Sequence, residues 1–527
     1  MKNFFEKFIS LFIALLLPML VVFLTIYFGI QRDEPHKAEI ELKADRTKKS
    51  DHSEFKVLQQ NFTNPKQVTA ACISCHNQRD EQIMKTPHWT WEREHKLLGT
   101  GKVTKIGKKN IHNNFCTGAV GNNGSCMRCH IGYGWEDKNF DFNDPTNVDC
   151  LVCHDKTGTY FKQKSMAGWP ATTETADEEF KVPDYNYISQ NVGASGRENC
   201  GVCHFHGGGG NNVKHGDLEQ ELVNTTKKVD VHMAAEGTNM TCIDCHTTKD
   251  HNIMGRSYSV SAENTNRIYC SDCHTNTPHN DKVLDYHTRK IACQTCHIPV
   301  YAKKNATSMY WDWSVAGRKD ENGGKIKEYD ADHNYSYLSI KGHFVFDNNV
   351  IPEYKWFNGT ANHFLPGDKY SELPVKINEL GGKYADSTSQ IWPVKVHRGK
   401  QAFDPVSKEI LSVKLFAHKQ GEGAFWEDLD WEEAIRQGME YNEREWSGKY
   451  EFIATEATWP INHMVSEKEN SLKCTQCHTR EGSRLAGLTD FYLPGRDYSK
   501  WIDYFGFFII IISLIGVITH ATFRIIR

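Results

Sequence analysis

A mainly α, loop-rich fold with a transmembrane helix at each end follows from three features of the 527-residue sequence: eight Cys-x-x-Cys-His motifs, a hydrophobic content of only 39%, and an apolar run near each terminus. Each motif places two thiols one helical turn apart for thioether bonds to a haem, with a histidine beside them for its iron. A zinc site or a redox dithiol has no need of that adjacent histidine in every copy. The chain therefore reads as a multihaem c-type cytochrome wrapped around eight covalent haems.

The attachment residues are Cys72, Cys75 and His76; Cys126, Cys129 and His130; Cys150, Cys153 and His154; and Cys200, Cys203 and His204. The second four are Cys242, Cys245 and His246; Cys270, Cys273 and His274; Cys293, Cys296 and His297; and Cys474, Cys477 and His478. The motif histidines are the expected proximal iron ligands. The motifs use all but one of the 17 cysteines, and the one left over is Cys116.

Mean hydropathy is −0.59 even with both apolar ends included, so the protein-only core must be thin and the porphyrins must supply apolar mass. The formal charge of −4 omits the haem propionates. Nucleic acid is excluded as a partner, and a small inorganic anion as substrate would need a local basic pocket.

Residues 1–30 carry Lys2 and Lys7 before an apolar run from Phe8 to Ile30, read as an uncleaved signal anchor that spans the membrane. Residues 31–65 are charged and polar and read as a tether. Residues 66–300 hold seven motifs and form a haem-dense domain. Residues 301–426 carry no motif and read as turns and short strands rich in aromatics, among them Trp311, Trp313, Tyr354, Trp356 and Trp392. Residues 427–500 have helical composition and lead to the eighth motif. Residues 501–527 close the chain with a second apolar run ending at Arg524 and Arg527, a second transmembrane helix. Positive charge flanks both runs on the side away from the body, which puts both termini in the cytoplasm and the body on the outer face of the cytoplasmic membrane, among lipid. His520 inside that run reads either as a functional group or as an interfacial histidine.

Histidines outside the motifs are the candidate distal ligands: His88, His232, His251, His279, His287, His397 and His463. His287 precedes Cys293 by six residues and His463 precedes Cys474 by eleven, spans short enough to loop over a haem face. A haem with two imidazoles carries electrons; an enzyme needs one open site. Cys116, ten residues before Cys126 in an oxidising compartment, marks the second motif as the place for it.

The segments Asn113-Asn114-Phe115-Cys116, Cys126 to Trp135, Val148 to Asp155, Val213 to Leu218, Ile291 to Pro299 and Trp459 to Val465 resemble the octahaem tetrathionate reductase family, relatives of hydroxylamine oxidoreductase and the pentahaem nitrite reductases, over most of residues 66–495. The resemblance implies that the second haem is bound by a lysine instead of its motif histidine, with its other face open beside a free cysteine. Cys116 takes the place of that cysteine. Lys214, after the glycine run Gly207 to Gly210, is the expected ligand, with Lys181 or Lys227 as alternatives. His130 would then be displaced, and the Lys214 amine must be held deprotonated.

The expected activity is reduction of tetrathionate to two thiosulfates, with Cys116 as nucleophile or as a group that orients substrate, and Lys108 and Lys109 offsetting substrate charge. Nitrite or hydroxylamine reduction at the same haem is the alternative enzyme. A non-catalytic conduit from the quinone pool is the alternative from another class. The membrane helices imply a quinol-oxidising cytochrome as electron donor, and leave the oligomeric state open.

Overall fold

The computed structural model describes Leu20 and residues 50–97, 101–119 and 121–526. They fall into two compact units: one of Lys43–Ile268 with Ala292–Arg527, and another that includes Tyr269–Ile291, with the sixth motif. Apart from Leu20, the N-terminal apolar run lies outside the described residues.

In the larger unit the motifs sit on short helices and turns. Pro65–Cys75 is a helix started by Pro65 at its first position and by Asn64, whose side chain accepts from Gln67 N at 3.2 Å. Arg197–His204 carries the fourth motif, Cys242–Cys245 the fifth, Cys293–His297 the seventh and Cys474–Cys477 the eighth. One turn is enough for each, because the motif needs only Cys i and Cys i+3 on one face.

The expected mainly α class holds for these segments and needs correcting for the stretch without motifs. There the chain builds a ten-stranded sheet. Its main path runs Ala361–His363, Val375–Leu380, Glu451–Pro460, Gln390–Asp404, Thr307–Asp312, Gly342–Asp347, Tyr335–Leu338 and Lys327–Tyr329. Gln390–Asp404 is the spine: it pairs antiparallel with Glu451–Pro460 from Val394↔Pro460 to Phe403↔Glu451, and parallel with Thr307–Asp312. Nearly all of its side chains are buried, so both faces are covered. The aromatics Trp311 and Trp313 stack with ring centres 5.2 Å apart within a core shared by Phe115, Phe344 and Trp459. The aromatic richness of this segment thus makes core, as β-propensity allows.

Helix Trp431–Tyr441 begins at Asp430, which accepts from Glu433 N at 3.1 Å, and buries Trp431, Ala434, Ile435, Gly438 and Met439, the spacing of a one-sided helix. The expected tether is also corrected over residues 50–65: Leu58 and Phe62 are buried in a core with Val68 and Tyr185. Lys500–Ile526 is a 27-residue helix, long and apolar enough to cross a membrane, with no buried side chains.

Candidate functional site: the second Cys-x-x-Cys-His motif

Among the described residues, three pairs of histidines stand opposite one another, two with near-parallel rings and His88–His204 edge-on. His52 and His76 have ring centres 6.2 Å apart, His88 and His204 6.3 Å, and His246 and His463 6.3 Å. Two imidazoles bound to one metal from opposite sides, each through a bond of about 2 Å, hold their ring centres about 6 Å apart. The donor geometry therefore fits haem at the first, fourth and fifth motifs. His251 lies close enough to His154 for its charge to be felt, which marks the third. None of the motif cysteines is joined in a disulfide, as thioether attachment requires.

Three motif histidines are held through Nδ1. His154 Nδ1 lies 2.9 Å from Gly193 O, His246 Nδ1 2.8 Å from Met254 O, and His478 Nδ1 2.8 Å from Pro494 O. A carbonyl only accepts, so these nitrogens carry the proton and Nε2 keeps its lone pair for a metal. His463 is held the same way, with Nδ1 3.1 Å from Asp217 Oδ2. Burial alone would lower its pKa, and the Asp217 carboxylate raises it instead.

His130 is inverted. Its Nε2 lies 2.6 Å from Trp89 O, and its Nδ1 has no hydrogen-bond partner. By the same reasoning Nε2 carries the proton and offers no lone pair. The ring is boxed by Trp135, Trp89, Phe140, Trp91 and Phe142, with ring centres 4.8 to 6.2 Å away. Below the box, buried Lys162 pairs with Asp149 at 3.2 Å and donates to the carbonyls of His130 and Gly132.

Lys214 is a buried amine within electrostatic range of the second motif. Burial, with the charge of Lys108 adding to it, lowers its pKa to about 7, and Cys129 of the second motif is near enough to oppose that shift. Its Nζ lies 5.1 Å from the ring centre of Trp459. A Cβ on Gly207 would come within 3.3 Å of Lys214 Cδ, so the glycine turn gives the side chain its room. The backbone under it is pinned by Lys395, fully buried, whose Nζ donates to Val213 O at 2.9 Å and Lys214 O at 3.0 Å and lies 2.6 Å from Thr307 Oγ1.

Lys214, Lys108, His112, Asn114, Ser259, Asn378 and Trp459 are among the residues lining one cavity of about 10 Å³, room for about one water. Lys181 is elsewhere, exposed and bound to Asp177 O at 2.8 Å, and Lys227 does not line this cavity.

Cys116 adopts φ +71°, a strained value for a residue with a Cβ. Asn113 holds the turn, accepting from Phe115 N at 2.9 Å through its side chain and bonding Thr117 O at 2.9 Å through its backbone. Burial pushes the Cys116 thiol up while Lys341 and Lys108 pull it down, and it lies within electrostatic range of Cys126. Lys108 sits 4.2 Å over Trp91; Lys109, expected beside it at the site, is paired with Glu92 at 2.9 Å.

His397 is corrected as a distal candidate. It is buried in the spine strand, Nδ1 3.1 Å from Asn114 Nδ2 and Nε2 3.3 Å from Ser308 Oγ, so both nitrogens are engaged. Its work is to hold Asn114, which also accepts from Thr455 Oγ1 at 2.6 Å and Gln401 Nε2 at 2.8 Å. His232 Nδ1 is 4.0 Å from Asp230 Oδ1. In the separate unit His279 Nδ1 is 3.0 Å from Asp285 Oδ1, and His287 ends the helix Lys282–His287. His52, His112, Lys341 and Lys395 escaped sequence reasoning; only His52 carried a signal, standing shortly before the first motif.

Motifs distant in sequence touch through their thiols: Cys72 with Cys150, Cys129 with Cys203, and Cys200 with Cys242, while Cys296 feels Cys477. The second motif thus abuts the fourth, and the fourth the fifth.

Comparison with known proteins agrees. The family model described as Cytochrome c bacterial matches residues 308–481, and that of Cytochrome c554 and c-prime matches residues 71–155. An uncharacterized protein of Archaeoglobus fulgidus is 25% identical over 248 residues, 40% of this chain and 82% of the relative. The crystal structure of octaheme cytochrome c from Shewanella oneidensis superposes with a TM-score of 0.75 at 42% identity, covering 83% of this chain and 96% of that one. With its attachment motifs, paired histidines and nearly full-length likeness to that structure, the chain belongs to the octahaem cytochrome c family.

Proposed function

We propose that the protein is a membrane-anchored octahaem reductase whose open site is the haem of the second motif, ligated by Lys214 beside Cys116, and that it reduces tetrathionate to thiosulfate. The observation that carries this reading is the inverted His130, its Nε2 committed to Trp89 O, in a motif whose Cys129 lies within electrostatic range of Lys214, an amine that burial holds well below its ordinary pKa. The bound haems would supply electrons one at a time, and the thiol contacts between motifs favour a short path from the fifth and fourth motifs to the second.

For tetrathionate, Cys116 thiolate attacks an inner sulfur and the central S–S bond breaks. One thiosulfate leaves and the other stays as a mixed disulfide on Cys116. Two electrons then break that bond, releasing the second thiosulfate and restoring the thiolate. Lys108 and Lys341, the two ammonium groups felt by Cys116, counter part of the burial that raises its pKa and would attract a dianionic substrate. Lys500–Ile526 would anchor the body at the membrane near a quinol-oxidising donor.

Hydroxylamine or nitrite reduction at the same haem is a second reading, favoured by a buried imidazole, His112, with a free nitrogen at the cavity. The test is oxidation of reduced viologen by the purified, haem-loaded protein, started with tetrathionate, nitrite or hydroxylamine. Tetrathionate turnover that falls at least 100-fold in Cys116→Ser supports sulfur chemistry at that thiol; turnover of nitrogen substrates alone would replace it by the second reading.

A further inference from the structure

Buried imidazoles in a folded protein ordinarily find partners for their nitrogens. Besides His130, the imidazoles of His95, His112 and His363 each keep a buried nitrogen without a hydrogen bond, and these three cluster near the cavity beside Lys214. His112 is 5% exposed, lines the cavity, and has no partner for Nε2. His363 is 9% exposed; its Nε2 lies 2.9 Å from Tyr258 O, which leaves the lone pair on Nδ1, and that atom has no partner either. His95 is 2% exposed with no hydrogen bond at either nitrogen, and its Nδ1 lies 3.9 Å from Glu263 Oε2, a carboxylate 36% exposed.

Their order in space follows from the sheet. His363 stands directly opposite Asn378 in the antiparallel register of Ala361–His363 with Val375–Leu380, and directly opposed residues share a face. Asn378 lines the cavity with His112. His363 also lies within electrostatic range of His95. Phe364, next to His363, packs on His112 with ring centres 6.0 Å apart.

We propose that Glu263, His95, His363 and His112 form a proton relay from solvent to the cavity, with His112 the donor to substrate bound at the second haem. The inference rests on that haem being the open site. Reduction of an N–O bond needs such a supply. Hydroxylamine takes two electrons from the haem chain, drawn from an external one-electron reductant, and two protons; the N–O bond breaks, one proton goes to the departing oxygen and one to nitrogen, giving water and ammonia. Cleavage of tetrathionate takes two electrons and no proton. The relay therefore serves the proton-consuming class of substrate.

The charges facing these groups suit transfer rather than storage. Burial first, then Arg444, holds His112 at about 4. Burial holds His363 at about 4, opposed by its bond to Tyr258 O and reinforced by His95. At His95 the lowering by burial, Arg256 and Arg93 is opposed by Glu263. Each imidazole is thus neutral at rest and protonated only in passing.

The test uses the haem-loaded full chain with reduced viologen, comparing hydroxylamine with tetrathionate in wild type, His112→Gln and His95→Ala. His112→Gln is expected to lower hydroxylamine kcat about 100-fold, more than any loss with tetrathionate. His95→Ala is expected to lose hydroxylamine turnover and recover it with added imidazole, which a packing role would not allow. Equal losses on both substrates, or no rescue, would overturn the relay. So would shifted haem potentials with unchanged hydroxylamine turnover, which would assign these imidazoles to haem propionates. A wild type inactive on every substrate would remove the open haem and the relay together, whereas an active wild type with indifferent variants removes the relay alone.

Discussion

The Nε2 atom of His130 lies 2.6 Å from the carbonyl oxygen of Trp89, whereas His154, His246 and His478 each turn Nδ1 to a backbone carbonyl. One hydrogen bond made by the other nitrogen separates a histidine whose Nε2 is free for iron from one whose Nε2 is already committed.

The ligand of the second haem should accordingly move with Lys214 and not with His130. Lys214→Ala is expected to abolish the lysine-ligated component of the electron paramagnetic resonance spectrum. His130→Ala should keep that component while lowering stability by about 3 kcal/mol, since a large side chain leaves an aromatic box and Trp89 O loses its donor. A lysine-ligated signal surviving in Lys214→Ala would rule that residue out.

His52 and His76 face each other at 6.2 Å, so His52→Ala should open one haem. The expected result is a new high-spin signal of about one haem in eight in the optical and resonance spectra. An unchanged low-spin population would place the distal ligand of the first motif elsewhere.

His112 and His363 make the fold acid-sensitive. Each titrates near 6.5 when unfolded and at about 4 when folded. The unfolded chain therefore binds more protons between those values, and stability falls as pH drops from about 6.5 to about 4. The loss is on the order of 3 kcal/mol per imidazole. Melting curves across this range should flatten in a His112→Gln, His363→Gln double variant.

Arg197, buried at the start of the fourth-motif helix, donates to Met240 O and Met233 O at 2.6 Å, to Val223 O at 3.1 Å and to Asn239 Oδ1 at 3.1 Å. It ties that helix to the approach of the fifth motif. Arg197→Ala should cost on the order of 4 kcal/mol by stranding these acceptors and lower the haem content per chain, read by pyridine haemochrome assay. Full loading and an unchanged melting point would contradict this role.

Attachment chemistry was legible in the sequence because it is local. Two cysteines and a histidine within five residues suffice, and helical geometry puts them on one face wherever the motif falls. The C-terminal apolar helix is legible for the same reason: length and composition decide it. The odd cysteine, Cys116, came from counting. That a lysine is needed came only through family resemblance, and the glycine run Gly207 to Gly210 is the one local feature that separates Lys214 from Lys181.

What the tertiary structure decided is every relation between distant residues. It set His52 on His76 within a stretch that reads as a tether, because Leu58 and Phe62 bury themselves beside it. It took His397 out of the ligand set, since a histidine on a fully covered strand must satisfy its nitrogens within the sheet. It gathered His95, His112 and His363 around one path from three separate segments. Hydrogen-bond partners, burial and the pKa values they set depend on packing across hundreds of residues, and no spacing along the chain encodes them.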